Sequence, residues 1–291
     1  MRVTNKMLSM TVLNNLGANL NRLQRMQDQM SSGQIISRPS DDPVVGARVL
    51  TLNSVIQQHE QYDRNTNDAL GWMETTEKAL GSLGDALQRA RELTVYGANG
   101  SLSQTDRDAL AQEVEQLTGN MVQIANTSYA NRYIFAGTKT TTAPFDPTGT
   151  YGGNTGQMNW EVSQGVTMTV NINGNDAFVN PGIFNILNNL KNDLLDGNTA
   201  SLSGTILGQL DNAIDSVLNL RAAVGAKSNR LEMSQNKSFA EKINYEELKS
   251  KLNDVDFAKI IIEYKMQENV YQAALNTGAR VIQPSLLDFL R

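Results

Sequence analysis

Apolar side chains in the first thirty residues fall at Val3, Met7, Met10, Leu13, Leu16, Leu20, Leu23, Met26 and Met30, in steps of three and four. That spacing keeps them on one stripe of a helix, as in a coiled-coil seam, with Asn, Gln and Arg on the other face. A single helix of this kind has nothing local to bury its stripe against and needs a partner. The period breaks at Ser31-Ser32-Gly33 and again at Pro39. Ser40, Asp41, Asp42 and Pro43 then form a helix-start motif, with Asp42 as N-cap and Pro43 at the first helical position.

Helical spacing resumes at Val45, Val49, Leu52, Ile56, Leu70, Met73, Leu80, Leu83 and Leu87, and lasts until Gly97. Gly71, Gly81 and Gly84 weaken this run, so it is open to bending or division. Continuous, it covers about 55 residues, roughly 80 Å at the helical rise, which is a rod and not a core helix. A turn at Gly97–Gly100 leads to Ser103, with Asp106 three residues on, a capping-box-like start. The next helix carries Leu110, Val114, Leu117, Met121, Ile124 and Ala125 on one face, antiparallel to its predecessor because the turn is short. Residues 138–182 are rich in Thr, Gly and Asn and hold three of the six prolines. Within them Met158–Val162 and Gly165–Ile172 alternate as strands do, and Asn173-Gly174 signals a tight turn. Helical spacing returns over Ile183–Leu195 and Ile206–Leu252, where Leu207, Leu210, Ile214, Val217 and Leu231 form the stripe.

The last segment mirrors the first. Leu248, Leu252, Val255, Ala258, Ile262, Met266, Val270, Ala273 and Thr277 step by three and four, and Pro284 stops the helix before an apolar end containing Leu286, Leu287, Phe289 and Leu290. The pattern predicts a mainly α protein: a long antiparallel helical bundle or coiled-coil rod made from both chain ends, with a small inserted β domain. The expected divisions are an N-terminal assembly helix (1–42), two helical rod parts (43–137 and 183–251), the β domain (138–182) and a C-terminal assembly helix (252–291). Termini are usually the least committed part of a domain. Here they are the most interaction-ready.

Composition supports this picture. Aromatics make up only 6 % of the 291 residues against 40 % hydrophobic overall. That suits long helices packed side by side better than a compact enzyme core. The net charge of −5 supplies no basic footprint, so nucleic acid is not expected as a partner. No stretch is long and apolar enough to span a membrane, so no insertion is expected, and the polar N-terminus lacks the core of a cleaved signal peptide.

Candidate chemistry is sparse. With no cysteine, disulfides, thiolate metal sites and Cys nucleophiles are excluded. The single histidine, His59, lies in a helical segment without convergent partners and reads as a packing residue. Asp41 and Asp42 read as caps, not an acid/base pair. Asp254 and Asp256 flank Val255 on the C-terminal helix and point to different sides. Gly225-Ala226-Lys227-Ser228 lacks the G-x-x-x-x-G-K-[ST] spacing of a phosphate loop. Trp72 and Trp160 are isolated, and packing is the default reading for both. No reaction class, metal or cofactor is expected, and the chain reads as a non-enzyme.

The two ends also carry specific motifs. MSSGQIISRPSDDPVVGARVL (Met30–Leu50) resembles the L-S-S-G-x-x-I-x-x-x-x-D-D-x-x-G motif of the flagellin superfamily. GAKSNRLE (Gly225–Glu232) and the stretch Leu252–Arg291 resemble that superfamily's C-terminal region, and together the matches cover roughly half the chain. The opening MRVTNKML, the prolines in SRPSDDP (Ser37–Pro43), and NRYIFAGTKT…APF (Asn131–Phe145) before a small β domain are similar to its hook–filament junction members. Filament flagellin is the near alternative, and a cytosolic coiled-coil scaffold or enzyme the distant one.

The resemblance implies a structural flagellar subunit, exported unfolded without a cleaved signal peptide and located outside the cell. It implies as partners further copies in a ring or helical assembly, neighbouring hook-associated protein and flagellin subunits, and a cytosolic export chaperone on the C-terminal helix. The expected assembly interface consists of Val3, Met7, Met10, Leu13, Leu16, Leu20, Leu23 and Met26 at one end. At the other it consists of Val255, Ala258, Ile262, Met266, Val270, Ala273, Leu287 and Leu290. Because each end has a stripe but no local partner, both are expected to be poorly ordered in the monomer and to pair on assembly.

Overall fold

A computed structural model describes residues 5–282. Its elements in chain order are α1 (Asn5–Ser32), α2 (Pro43–Gly97), α3 (Gln104–Ala125), β1 (Ser128–Tyr129), β2 (Arg132–Tyr133), β3 (Asn159–Ser163) and β4 (Val166–Thr169). They continue with α4 (Ile183–Asp196), the single turn α5 (Thr199–Ser201), α6 (Leu207–Asn253) and α7 (Phe257–Ile282). Two short π-helical turns, Asn175–Val179 and Leu202–Ile206, precede α4 and α6. The mainly α class with small two-stranded sheets is as the periodicity predicts. The chain divides into two compact units, residues 1–58 with 241–291, and residues 59–240.

In the larger unit, the portion of α2 after residue 58 buries Trp72, Met73, Leu80, Leu83 and Leu87. Val114 and Met121 of α3, Leu187 and Leu190 of α4, and Leu210, Val217 and Leu231 of α6 join the same core. Each large apolar side chain taken fully from water contributes about 1.5–3 kcal/mol. Phe135, Phe145, Phe178 and Phe184 cluster with ring centroids 5.1–6.0 Å apart. His59 packs in this unit, its Nδ1 2.9 Å from the Ser238 hydroxyl.

α2 is one unbroken helix through Gly71, Gly81 and Gly84. Gly71 is a close-approach position, since a methyl there would collide with the Tyr129 hydroxyl. α3 begins as its capping pattern predicts, the Ser103 hydroxyl accepting from the Asp106 N–H at 3.2 Å. Arg107 is 8 % exposed and closes the preceding turn, donating to the carbonyls of Gly97 (3.2 Å) and Asn99 (3.0 Å).

β1 and β2 form a tight hairpin whose central residues, Ala130 and Asn131, both have positive φ, 46° and 63°. β3 and β4 pair antiparallel around Gln164-Gly165, with Gly165 at φ 70°. The expected tight turn at Asn173-Gly174 is not a hairpin turn. Gly174 has φ −67° and donates to the Phe135 carbonyl at 2.7 Å, while the Asn173 side chain accepts from the Asp176 N–H at 2.9 Å. These two residues start a helical turn and do not reverse a strand.

The smaller unit contains α1, α7, the first part of α2 and the last part of α6. α2 starts at Pro43, and one Asp42 carboxylate oxygen accepts from the N–H groups of Val44 (2.9 Å) and Val45 (3.1 Å). The C-terminal pattern, continuous in sequence from Leu248 to Thr277, is interrupted over Asp254–Asp256. Asp256 is not a mid-helix residue. Its carboxylate accepts from the Lys259 N–H at 3.1 Å and starts α7.

Candidate assembly interface

The terminal helices meet as an antiparallel pair. Asn19 of α1 lies beside Gln267 of α7, linked by an amide hydrogen bond of 3.3 Å. Further along, Val12 lies beside Gly278, where a methyl would sit 2.7 Å from Val12 Cγ1. At the other end of the pair the strand-like bridge Gln34–Asp254 is also antiparallel.

This base is a clasp. The Asn253 side chain, 2 % exposed, accepts from the Ile36 N–H at 2.9 Å, and its carbonyl accepts from the Ile35 N–H at 2.6 Å. The Val255 N–H donates back to the Gly33 carbonyl at 3.0 Å. Gly33 has φ 70°, a conformation that favours glycine. The Ser-Ser-Gly turn after α1 and the break before α7 are therefore built against each other.

Among the less exposed positions of α1 are Val12, Leu16, Asn19, Leu23, Met26 and Met30. On α7 they include Ile260, Tyr264, Gln267, Tyr271, Ala274 and Gly278, with Glu263 and Glu268 also half-buried. Both series step by three and four, so one coiled-coil seam joins the two helices. It is a mixed seam, with an Asn–Gln pair, two tyrosines and a glycine in place of a continuous run of Leu and Ile.

The sequence-derived interface residues divide against this seam. Leu16, Leu23 and Met26 are half-buried toward it, whereas Met7, Met10, Leu13 and Leu20 are exposed. Val255 is half-buried next to the clasp. Ala258, Ile262, Met266, Val270 and Ala273 all lie on the exposed side of α7, Ile262 at 69 % and Met266 at 62 %. Val3, Leu287 and Leu290 lie outside the described residues. Ser40 and Asp41 are exposed and precede the Asp42–Pro43 helix start, with Asp41 accepting from the Arg38 N–H at 3.0 Å.

Each terminal helix thus carries two series, a mixed one spent within the chain and an apolar one left open. Hydrophobic spacing runs the two together on α1 and marks only the open series on α7. The inner series of α7 was hidden because Tyr264, Gln267, Tyr271 and Gly278 do not register as a hydrophobic stripe, although their spacing is heptad-like.

Beside the open series of α7, Lys265 donates to Glu268 at 2.8 Å. That hydrogen bond holds the Lys265 ammonium above its ordinary pKa. The pair is exposed and leaves the apolar stripe between charged flanks, as at coiled-coil edges. Among the described residues no group of His, Asp or Glu is placed to hold a metal ion. No described helix is long and apolar enough to cross a membrane.

A helical chain with paired terminal helices and open apolar stripes has the form of a structural protein, and comparison with known proteins identifies its kind. Residues 3–140 match the bacterial flagellin N-terminal helical region, and residues 207–290 match the bacterial flagellin C-terminal helical region. The chain belongs to the bacterial flagellin family. It is 31 % identical over 274 residues to flagellar hook-associated protein 3 of Escherichia coli K12, covering 85 % of this chain and 86 % of that one. To flagellar hook-associated protein 3 of Salmonella typhimurium it is 28 % identical over 308 residues, covering 95 % and 96 %. The fold is similar to that of flagellar hook-associated protein 3 from Legionella pneumophila, with a TM-score of 0.65 at 18 % identity, over 70 % of this chain and 98 % of that one.

Proposed function

We propose that this protein is a structural subunit of the bacterial flagellum that joins hook to filament, by packing its terminal helices against neighbouring axial subunits. The observation that carries the packing is the open stripe of α7, where Ile262, Met266 and Val270 stand 69 %, 62 % and 47 % exposed on a helix whose other face is already occupied. Exposed residues of this size in register are the mark of an interface, whereas scattered ones need no explanation.

Met7, Met10, Leu13 and Leu20 stand exposed on α1 as a second such set. Val3, Leu287 and Leu290, outside the described residues, are counted with these sets from the sequence alone. Unlike patches meeting head to tail build open helical assemblies or rings, as a tubular junction requires. The mixed seam between α1 and α7 is too weakly apolar to hold both helices firmly alone. In the dilute monomer α1 and α7 are therefore poorly ordered, and they gain order when neighbours cover the outer stripes. The outer surface of the larger unit, with its small hairpins, takes no part in this packing.

The protein acts outside the cell, is exported without a cleaved signal peptide, and binds a cytosolic export chaperone through its C-terminal helix, which shields the apolar stripe beforehand. It catalyses no reaction. These readings are supported by the family, the exposed stripe and the lack of a catalytic constellation in the sequence. Sedimentation of the purified protein separates the junction role from that of filament flagellin. Alone it is expected to remain at monomer mass; long filaments formed by the pure protein would overturn the junction reading.

A further inference from the structure

The smaller unit has a second open apolar feature, distinct from the terminal stripes. Ala47, Arg48, Thr51 and Leu52 of α2, with Leu248 and Leu252 of α6, line a shallow cleft of about 420 Å³. Its lining is almost wholly apolar, and Leu248 is 50 % exposed. Arg48 is its one charged residue, and it forms no ion pair among the described residues.

Two stripes of the chain have the form to fill such a cleft. The α1 stripe carries Lys6, Arg22 and Arg25 and no acidic residue before Asp28, so bringing it to Arg48 would set like charges together. The α7 stripe differs. Besides Lys259 and the Glu268-paired Lys265 it offers an acidic residue at its edge: Glu263, half-buried, adjoins Ile262, lies one helical turn from Met266, and among the described residues it too forms no ion pair. Charges flanking an apolar seam select the partner. In its own chain Ile262 is 69 % exposed, so it does not occupy this cleft there.

We propose that the cleft takes the Ile262–Met266 stretch of α7 from a second copy of this chain, with that copy's Glu263 against Arg48. The proposal rests on the assembly reading above and adds which patch meets which. The contact is heterologous, each copy offering a cleft to one neighbour and a helix to another, so it propagates along an assembly and does not close as a pair.

The chain has no cysteine, so single thiols can be placed cleanly. Flagella isolated from cells producing Leu252→Cys and Ile262→Cys copies together are oxidised and run without reductant. A dimer band that appears only when both variants are present is expected, because a disulfide needs Cα atoms within about 7 Å. Normal flagella without that band overturn the docking and leave the assembly reading standing. A band formed instead between Leu252→Cys and Met10→Cys copies overturns it in favour of α1. The assembly reading fails separately, if the unaltered chain is missing from isolated flagella.

Charge reversal gives a second measurement that needs no thiol. Arg48→Glu and Glu263→Arg are each expected to lower the amount of subunit per flagellum about tenfold, roughly the coupling of one close charge pair, and the double variant to restore most of it. A double variant no better than the worse single one overturns the pairing.

Discussion

Ile262→Asp separates folding from assembly. Ile262 is 69 % exposed, so only about a third of its side-chain burial is realised in the single chain. Against about 1.5–3 kcal/mol for full burial, losing that third costs about 0.5–1 kcal/mol. The helix propensities of Ile and Asp differ by only a few tenths of a kcal/mol. In an assembly that covers the stripe, the remaining two-thirds, about 1–2 kcal/mol, is lost at each contact. A carboxylate forced into the contact adds about 1–3 kcal/mol more. The sum, about 2–5 kcal/mol, lowers association at least thirtyfold. The contrast is Leu80→Ala, at a fully buried position of the larger unit, where about 2–5 kcal/mol is lost from folding itself. Thermal melting of the dilute proteins and quantitation of each variant on isolated flagella form the assay. Ile262→Asp should melt within a few degrees of the parent and be missing from flagella. Normal incorporation, or a melting shift as large as that of Leu80→Ala, refutes the reasoning.

Other substitutions test the supports of this surface. Gly278→Val places a side chain where even a methyl would lie 2.7 Å from Val12 Cγ1, so α1 and α7 must separate; reduced incorporation with unchanged melting of the larger unit is expected. Asn253→Ala leaves the Ile36 N–H without its acceptor and should destabilise the clasp by about 1–3 kcal/mol, seen as faster hydrogen exchange at Ile36. Arg107→Ala frees the Gly97 and Asn99 carbonyls inside the larger unit; it should lower that unit's stability to urea by about 1–3 kcal/mol while leaving assembly of the folded protein intact. Leu16→Asp strikes the inner seam and is expected to disrupt both the α1–α7 pair and incorporation, in contrast to Ile262→Asp.

Much of the fold was legible because long helices announce themselves by period and caps. The start of α2 at Pro43 follows from Asp42, and that of α3 from Ser103 and Asp106. Glycines misled in one respect. Gly71 reads as a weak point in a helix, yet it is where Tyr129 packs against α2, a contact 58 residues away that no local window contains. The β1–β2 hairpin escaped notice because its turn uses Ala130 at positive φ, a residue type that gives no turn signal. Asn173-Gly174 erred the other way, since an Asn that accepts from the backbone two or three residues on serves a helix start as well as a hairpin.

The interface was legible only in half. Hydrophobic spacing finds the stripe left open on α7, because Ile262, Met266 and Val270 are strongly apolar. It misses the inner seam, whose Tyr264, Gln267 and Gly278 are selected for fit to α1 and not for apolarity. The break at Asp254–Asp256 was likewise masked, since the apolar steps pass through it unbroken and only the clasp with Gly33 to Ile36 demands it.

The central claim is that this chain sits between hook and filament, and position on the organelle tests it most directly. Thr141, exposed in the larger unit, can be replaced by cysteine in a chain that has no other, and labelled with gold on isolated flagella. The account predicts a single narrow band where the hook meets the filament. Gold spread along the whole filament, or absent from flagella carrying the variant, would contradict it.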